Sequence, residues 1–127
     1  FFASDIFTKI KQAYDRGLLV KREYRFNINL SASLFSSKIS DEILRNEKIL
    51  VQGVIDIIFE NPDGTITLLD YKTDRMDDNE YEISSFVNRH KTQLQYYKIA
   101  VERITGKKVT DTVLYSFAVR RDIRVDI

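Results

Sequence analysis

The spacing of apolar residues predicts a short helix at the start of the chain. Ser4 is a favoured N-cap residue, and apolar residues follow it at helical intervals: Ile6, Phe7, Ile10, Ala13 and Tyr14. Gly17 comes directly after this pattern and is the residue type that most often ends a helix. We therefore expect one amphipathic helix from about Ser4 to Gly17.

Three further segments have patterns typical of β-strands. Apolar and polar residues alternate over residues 23–30, as expected for a half-buried strand. Residues 49–60 and 65–72 are richer in β-branched and aromatic residues, and the turn sequence of residues 61–64 separates them. These two runs are predicted to form a hairpin. Residues 31–46 are polar, and we predict a loop there with at most one helical turn.

The second half of the chain predicts a long helix between strands. An acidic, irregular stretch covers residues 74–81, and an amphipathic pattern then runs over residues 86–105 and ends at Gly106. Residues 109–119 are predicted as a strand and residues 120–127 as a final edge strand. The order α-β-β-β-α-β indicates an α/β (α+β) sandwich, with a central mixed sheet that contains the hairpin.

The hairpin register brings two aspartates together. Its proline and glycine suit a three-residue loop in which Asn61 pairs with Thr65. Counting outward along both strands then puts Asp56 directly opposite Asp70, with Cβ atoms roughly 5 Å apart. Lys72 points to the same face, because side chains alternate along a strand.

Two facing carboxylates need a compensating positive charge, because like charges opposite each other destabilise a sheet. Lys72 alone would make an ordinary ion pair with one of them, and an isolated Asp-x-Lys sequence is usually no more than that. Aspartate is rare in strands, however, and here Asp56 and Asp70 converge on one lysine. We interpret the group as a site for a divalent cation such as Mg²⁺, which prefers oxygen ligands.

The long helix offers a second polar group. Gln93 and Tyr97 are four residues apart and therefore lie on one helix face, from which their polar ends can reach a phosphate near the metal. Such a pair is more often surface or core packing, so its value lies in its position after the hairpin. We interpret His90 as a solvated residue near the helix start, and the acidic residues between Asp77 and Glu82 as a solvated loop.

Tyr24 and Phe26 lie on the apolar face of the first predicted strand, and we interpret them as core residues rather than as base-stacking residues.

Composition narrows the possible functions. The 127 residues are 43% hydrophobic, which suits one domain, and the net charge of +1 means that partner chains would hold much of any bound DNA. The absence of cysteine excludes disulfides, Cys-ligated zinc and iron–sulfur clusters, and one histidine excludes a His-rich site. The absence of cysteine also fits a reducing cytoplasm, where we expect the protein to be located, and the sequence has neither an apolar run of membrane length nor a signal-peptide pattern.

Three ordered motifs resemble one nuclease family. Residues 51–56 (VQGVID), 69–74 (LDYKTD) and 93–97 (QLQYY) are similar to the motifs of RecB-type PD-(D/E)XK nucleases. Residues 22–26 (REYRF) resemble the Arg-Glu-x-x-Phe strand of that family. The resemblance covers nearly the whole chain. Within the family, the chain is most similar to the AddA (RexA) branch, which consists of nuclease domains of bacterial helicase-nuclease subunits.

The resemblance implies a restriction-endonuclease-like core and Mg²⁺-dependent hydrolysis of DNA, with Mn²⁺ as a substitute. It further implies an exonuclease that acts in double-strand-break repair and recombination on single strands delivered by a helicase motor, together with a second subunit. Because the chain opens without Met, we expect that residues 1–127 are one nuclease domain from the C-terminal part of a larger chain.

The resemblance also assigns roles to individual residues. Asp56 and Asp70 would be metal ligands, with the backbone carbonyl of Tyr71 as a third. Lys72 would orient or activate the attacking water. Substrate positioning would fall to two helix residues, Gln93 and Tyr97.

The family has a further histidine ligand on a helix before the Arg-Glu-x-x-Phe strand. We expect that helix to precede Phe1, so that the isolated chain would bind metal weakly and cleave poorly.

Two other functions remain open at this point. One is a catalytically silent domain that docks DNA or a partner subunit, although retention of both aspartates together with Lys72 argues against it. The other is a free-standing nuclease, such as a junction resolvase or a phage exonuclease. The near-neutral charge and the abrupt start of the sequence favour a piece of a larger protein over the latter.

Overall fold

The computed structural model describes residues 4–31 and 48–127 and confirms the predicted α+β class and element order. In these residues lie the elements α1 (Asp5–Asp15), β1 (Val20–Ser31), β2 (Lys48–Glu60), β3 (Ile66–Lys72), α2 (Glu80–Thr105), β4 (Val109–Ser116) and β5 (Arg121–Arg124). Of the loop predicted for residues 31–46, Ser31 is the last residue of β1, and the remainder lies outside the described residues.

The five strands of the described residues form one mixed sheet in the order β1-β2-β3-β4-β5. Strands β3 and β4 are parallel, and every other neighbouring pair is antiparallel. A parallel pair needs a crossover connection, and α2 provides it here. The predicted final edge strand is confirmed as β5. Strand β4 ends at Ser116, three residues earlier than predicted, and a turn then leads to β5.

One helix lies against each face of the sheet. On the first face, buried residues of α1 pack against β2 and β3, with Ile6 and Ile10 contacting the cluster that contains Ile57 and Leu69. On the second face, residues of α2 such as Val101 pack with apolar residues of β1, β2 and β3. Each fully buried aliphatic side chain contributes about 1.5–3 kcal/mol, so the two clusters fix both helices onto the sheet.

The first helix begins as predicted. Ser4 is its N-cap, and the Ser4 hydroxyl accepts a hydrogen bond from the backbone N–H of Phe7 at 3.3 Å. Ile6, Ile10 and Ala13 are buried. Tyr14, the last residue of the predicted stripe, is exposed, so the buried face is narrower than the sequence pattern indicates.

The second helix begins at Glu80 rather than at residue 86. Asn79 is its N-cap, and the Asn79 side chain accepts a hydrogen bond from the backbone N–H of Glu82 at 2.9 Å. Glu80 and Glu82 lie in the first turn, where negative charge interacts favourably with the helix dipole. The prediction of a solvated loop is therefore wrong for these two glutamates, although Asp77 and Asp78 do precede the helix.

No helix within residues 4–31 and 48–127 has both the length and the apolar character that a membrane crossing requires.

Candidate metal centre

The predicted hairpin register is confirmed. Asn61 donates a backbone hydrogen bond to the carbonyl of Thr65 at 2.7 Å, and Gly64 has the left-handed φ of 87° that this loop needs. Regular strand pairing then continues as far as Ile57 opposite Leu69. The next position outward on both strands is the aspartate pair.

At that position, side chains replace the regular hydrogen bonds between the strands. The backbone N–H of Asp56 donates to Asp70 Oδ1 at 3.0 Å, and the backbone N–H of Tyr71 donates to Asp56 Oδ2 at 2.7 Å. Each carboxylate is therefore held by an amide of the opposite strand. The two strands begin to separate here, and the two acidic groups lie together in the opening.

The regular alternation of side chains along β2 is interrupted at Asp56. Ile55 packs in the cluster under α2, whereas Ile57 packs in the cluster under α1, although residues two apart on a regular strand lie on the same face. On β1, the strand pairing skips Glu23, which would lie opposite Asp56 and has a left-handed φ of 48°. A left-handed non-glycine residue costs about 1–3 kcal/mol, and such residues concentrate at functional sites. Asp56 consequently lies at the boundary between the two faces.

Asp70 is the most perturbed acid of the site. It is 4% exposed, and this burial raises the pKa of its carboxyl to about 6. The hydrogen bond from the Asp56 amide and the charge of Lys72 lower the pKa, whereas the Asp56 carboxylate raises it further. Burial next to a second carboxylate therefore disfavours the ionised form of Asp70, and a bound cation would favour it.

Lys72 lies beside Asp70 but does not neutralise the pair by itself. Its Nζ is 3.7 Å from Asp70 Oδ2, which is longer than a direct hydrogen bond, and it donates at 3.1 Å to Oε1 of Gln93 on α2. One lysine faces two aspartates. A simple ion pair between Lys72 and Asp70 would therefore leave the charge of Asp56 without a partner lysine. Gln93 itself is exposed and orients the lysine.

Tyr97 is buried over the site, where a glycine leaves space for it. An added Cβ at Gly53 would lie 2.9 Å from Tyr97 Cε1, a distance that real side chains avoid. The Tyr97 ring also packs edge-on against Phe26, with 5.4 Å between ring centroids. Burial raises the pKa of the Tyr97 hydroxyl, and the charges of Asp70 and Asp56 raise it further.

The need for Gly53 was missed from the sequence, although a glycine inside a strand is a known sign of close packing. Phe26 is buried and Tyr24 packs against the same cluster, which confirms the prediction that both are core residues.

The interpretation of His90 as a solvated residue near the helix start is wrong. The helix begins well before it, and only 17% of the His90 side chain is exposed. Its Nε2 lies 3.0 Å from Asp74 Oδ2, and its ring packs edge-on against Phe86. Burial raises the pKa of Asp74, but hydrogen bonds from His90 and Arg89 lower it more strongly, to below its ordinary value. This pair fixes the segment between β3 and α2.

The donor set suits a hard cation that keeps much of its water. Among residues 4–31 and 48–127 there is no group of three or more His, Cys, Asp or Glu side chains that could enclose a metal. Asp56 and Asp70 nevertheless place two carboxylates together, and the main chain at Tyr71 adjoins them. Mg²⁺ is commonly bound through one or two carboxylates plus waters, so these residues fit it.

This chain is similar to a known nuclease family and to known proteins over most of its length. The family profile described as "PD-(D/E)XK nuclease superfamily" matches residues 4–124. A Clostridium botulinum protein, named as a subunit of an ATP-dependent helicase/nuclease, is 44% identical over 107 residues, which cover 84% of this chain and 8% of that protein. A protein of the same name from Clostridium perfringens is 35% identical over 125 residues, or 98% of this chain and 10% of the relative.

The chain thus spans about a tenth of the length of these relatives. The family profile and both relatives match most of this chain, which confirms the resemblance found in the motifs. The chain belongs to the PD-(D/E)XK nuclease superfamily.

Proposed function

We propose that this chain is the metal-dependent DNA-cleaving domain of a helicase-nuclease and that it hydrolyses phosphodiester bonds as an exonuclease. The observation that carries the proposal is the pair of facing carboxylates, Asp56 and buried Asp70, beside Lys72. Burial without full charge compensation is unfavourable in a purely structural pair, and it is understandable in a cation site.

The residues that would hold the metal are Asp56, Asp70 and the backbone carbonyl of Tyr71. Mg²⁺, or Mn²⁺ as a substitute, supplies Lewis acidity and lowers the pKa of a bound water when present. The two backbone hydrogen bonds that fix the carboxylates keep their oxygens in place before any ion arrives. Such preorganisation reduces the reorganisation needed during the reaction.

Lys72 is the electrostatic partner of the reaction. Its ammonium orients the attacking water and offsets negative charge that develops on the phosphate. Because Gln93 accepts one of its hydrogen bonds at 3.1 Å, the ammonium is held at the site rather than sampling solvent.

Gln93 and Tyr97 help to position the substrate strand. The Gln93 side chain is exposed while its Oε1 is occupied by Lys72, so its amide N–H groups are available to a phosphate oxygen. The Tyr97 hydroxyl is a donor for the same phosphate, and its ring packs against Gly53 on β2. Both roles follow from the face of α2 that covers the hairpin.

The wider context of the activity is also a proposal. We infer that residues 1–127 are one nuclease domain of a longer cytoplasmic protein whose helicase motor delivers single-stranded DNA, together with a second subunit, during break repair and recombination. Support comes from the names of the relatives, the small share of their length that is matched, and the net charge of +1. A nearly neutral domain benefits from a motor that holds the DNA.

Cleavage of single-stranded DNA by the full-length protein with Mg²⁺ tests the proposal. Asp70→Ala and Asp56→Asn should each abolish metal-dependent digestion while the domain stays folded. Asp126→Asn is the matched control, because this exposed aspartate lies beside Val109 and Thr110 at the other end of β4. Undiminished digestion by Asp70→Ala would refute the mechanism and favour a silent docking domain.

Calorimetric titration with Mg²⁺ and Mn²⁺ locates the ion independently. Binding that an Asp56→Asn, Asp70→Asn double variant loses would place the metal between the hairpin aspartates. Equal binding by the native protein and the double variant would place it elsewhere.

A further inference from the structure

A cavity opens beside Asp56, on the face of the sheet that α1 covers. Its volume is about 630 Å³, and its walls include Phe7 from α1, Tyr71 from β3 and Phe117 from the turn after β4. Arg22 and Asp56 lie on the remaining wall. The volume lies within the range of roughly 300–1,000 Å³ found for small-molecule sites, and the cavity is continuous with the candidate metal centre.

Phe117 is an exposed ring held in a fixed place. It is 47% exposed, yet its ring centroid lies 5.7 Å from that of Tyr71 and 5.0 Å from that of Tyr115. Its backbone N–H donates to the carbonyl of Lys72 at 3.1 Å, so its position is tied to the site. An aromatic face that is both rigid and accessible is suited to stacking another planar group.

Arg22 provides a cation next to this aromatic wall. It pairs across the strands with Ile57, the neighbour of Asp56, and it is exposed. Within the described part of the chain no carboxylate forms an ion pair with it. Its exposed guanidinium can therefore meet a phosphate.

Glu23 also lines the cavity, and together with Asp56 it disfavours a second phosphate inside. The interior thus suits an uncharged planar group.

We propose that this cavity receives one unstacked nucleobase of a single strand, adjacent to the bond that is cut. The base stacks on Phe117, with Tyr71 as a neighbouring wall, and Arg22 contacts the phosphate on one side of that nucleotide. This inference rests on the proposed nuclease function and adds a specificity device to it. Alternating cationic and aromatic contacts are the usual way in which proteins bind single strands without reading sequence.

A base-paired strand cannot present a base in this manner without unpairing. The cavity accordingly selects single-stranded substrate at the site itself, independently of any motor that separates the strands.

The test is kcat/KM for Mg²⁺-dependent cleavage of oligodeoxythymidine by the full-length protein, with a single abasic residue moved along the strand. Native protein should cleave about 10-fold less efficiently when the abasic residue lies at one fixed offset from the cut bond. Phe117→Ala should cleave the intact strand less efficiently and lose this discrimination. Phe117→Leu keeps apolar volume without the aromatic face and should lose it too.

Two further variants separate stacking from other effects. Arg22→Gln should raise KM for every strand yet retain the abasic discrimination, because it alters only the phosphate contact. Tyr81→Ala is the matched aromatic control, since Tyr81 is 83% exposed and is not part of the cavity wall. It should behave like the native protein.

Discrimination that survives in both Phe117 variants would overturn the inference and leave the nuclease intact. Native protein that cleaves all abasic strands alike would overturn it as well. Cleavage that persists in Asp70→Ala is a different result, because it refutes the proposed metal centre rather than the base cavity.

Discussion

Replacing Asp70 by Asn should stabilise the metal-free protein at neutral pH. Asparagine has nearly the same shape, and its Oδ1 can still accept the hydrogen bond that the Asp56 amide donates at 3.0 Å. What the substitution removes is a negative charge buried next to another carboxylate. The variant therefore isolates the cost of keeping Asp70 ionised in the folded protein.

The size of the effect follows from the pKa. Folding raises the pKa of Asp70 from 3.8 to about 6, because burial disfavours the charged form. One pKa unit corresponds to about 1.4 kcal/mol, so ionisation costs about 3 kcal/mol of stability. Because the pKa is higher in the folded protein, protonation of Asp70 stabilises the fold. This stabilisation is fully present below pH 3.8 and is lost as pH rises through about 6. The native protein should therefore lose stability over this window relative to the variant.

Urea unfolding in EDTA at pH 4 and pH 8 measures the difference. At pH 8, Asp70→Asn should be more stable than the native protein by up to about 3 kcal/mol, and at pH 4 the two should converge. Saturating Mg²⁺ at about 100 times its dissociation constant should stabilise the native protein by about 2.7 kcal/mol and leave the variant unchanged. Asp126→Asn controls for the loss of an exposed carboxylate.

Two results would refute this reasoning. A variant that is less stable than the native protein at pH 8 would mean that the Asp70 carboxylate is well compensated without metal. An equal difference at both pH values would mean that the effect arises from packing and not from ionisation.

Three other substitutions test the surroundings of the site. Gly53→Ala should cost about 1–3 kcal/mol by urea unfolding, because its Cβ would lie 2.9 Å from the Tyr97 ring, and Gly53→Ala should cost much less in a Tyr97→Ala background. Asn79→Ala should destabilise the protein by about 1 kcal/mol in the same assay through loss of the cap on Glu82; no change would show that the cap is dispensable. His90→Gln should lower the melting temperature but leave the pH dependence of cleavage unchanged, and a changed pH profile would show that His90 acts in the reaction.

Short-range chemistry explains why the hairpin could be predicted from the sequence. A proline and a glycine within residues 61–64 select one loop length, and that loop fixes every strand pair out to Ile57 and Leu69. The cap at Ser4 is equally local. The early start of α2 had a local signal too, because Asn79 and Glu82 have the spacing of a capping box, but the surrounding acidic residues concealed it.

Long-range packing determines the burial, the pKa and the orientation of the side chains in the site. The burial of Asp70 depends on the strands and helices packed around it, and no pattern near Asp70 gives its pKa. The hydrogen bond between Lys72 and Gln93 joins residues 21 positions apart, and Tyr97 fits only because a distant glycine on β2 leaves it space. The sequence indicated which polar residues belong together but not how they are oriented.

The sequence alone thus determined the order of the elements, the hairpin register and the pairing of Asp56 with Asp70, because turn geometry and side-chain alternation act over a few residues. Only the tertiary structure shows that the side-chain alternation of β2 is interrupted at Asp56. It also shows that a cavity lined by Arg22 and Phe117 opens beside this residue. Both features depend on how the helices and the turn after β4 pack on the sheet. Packing of this kind is a sum of many weak contacts between distant residues, which no short stretch of sequence encodes.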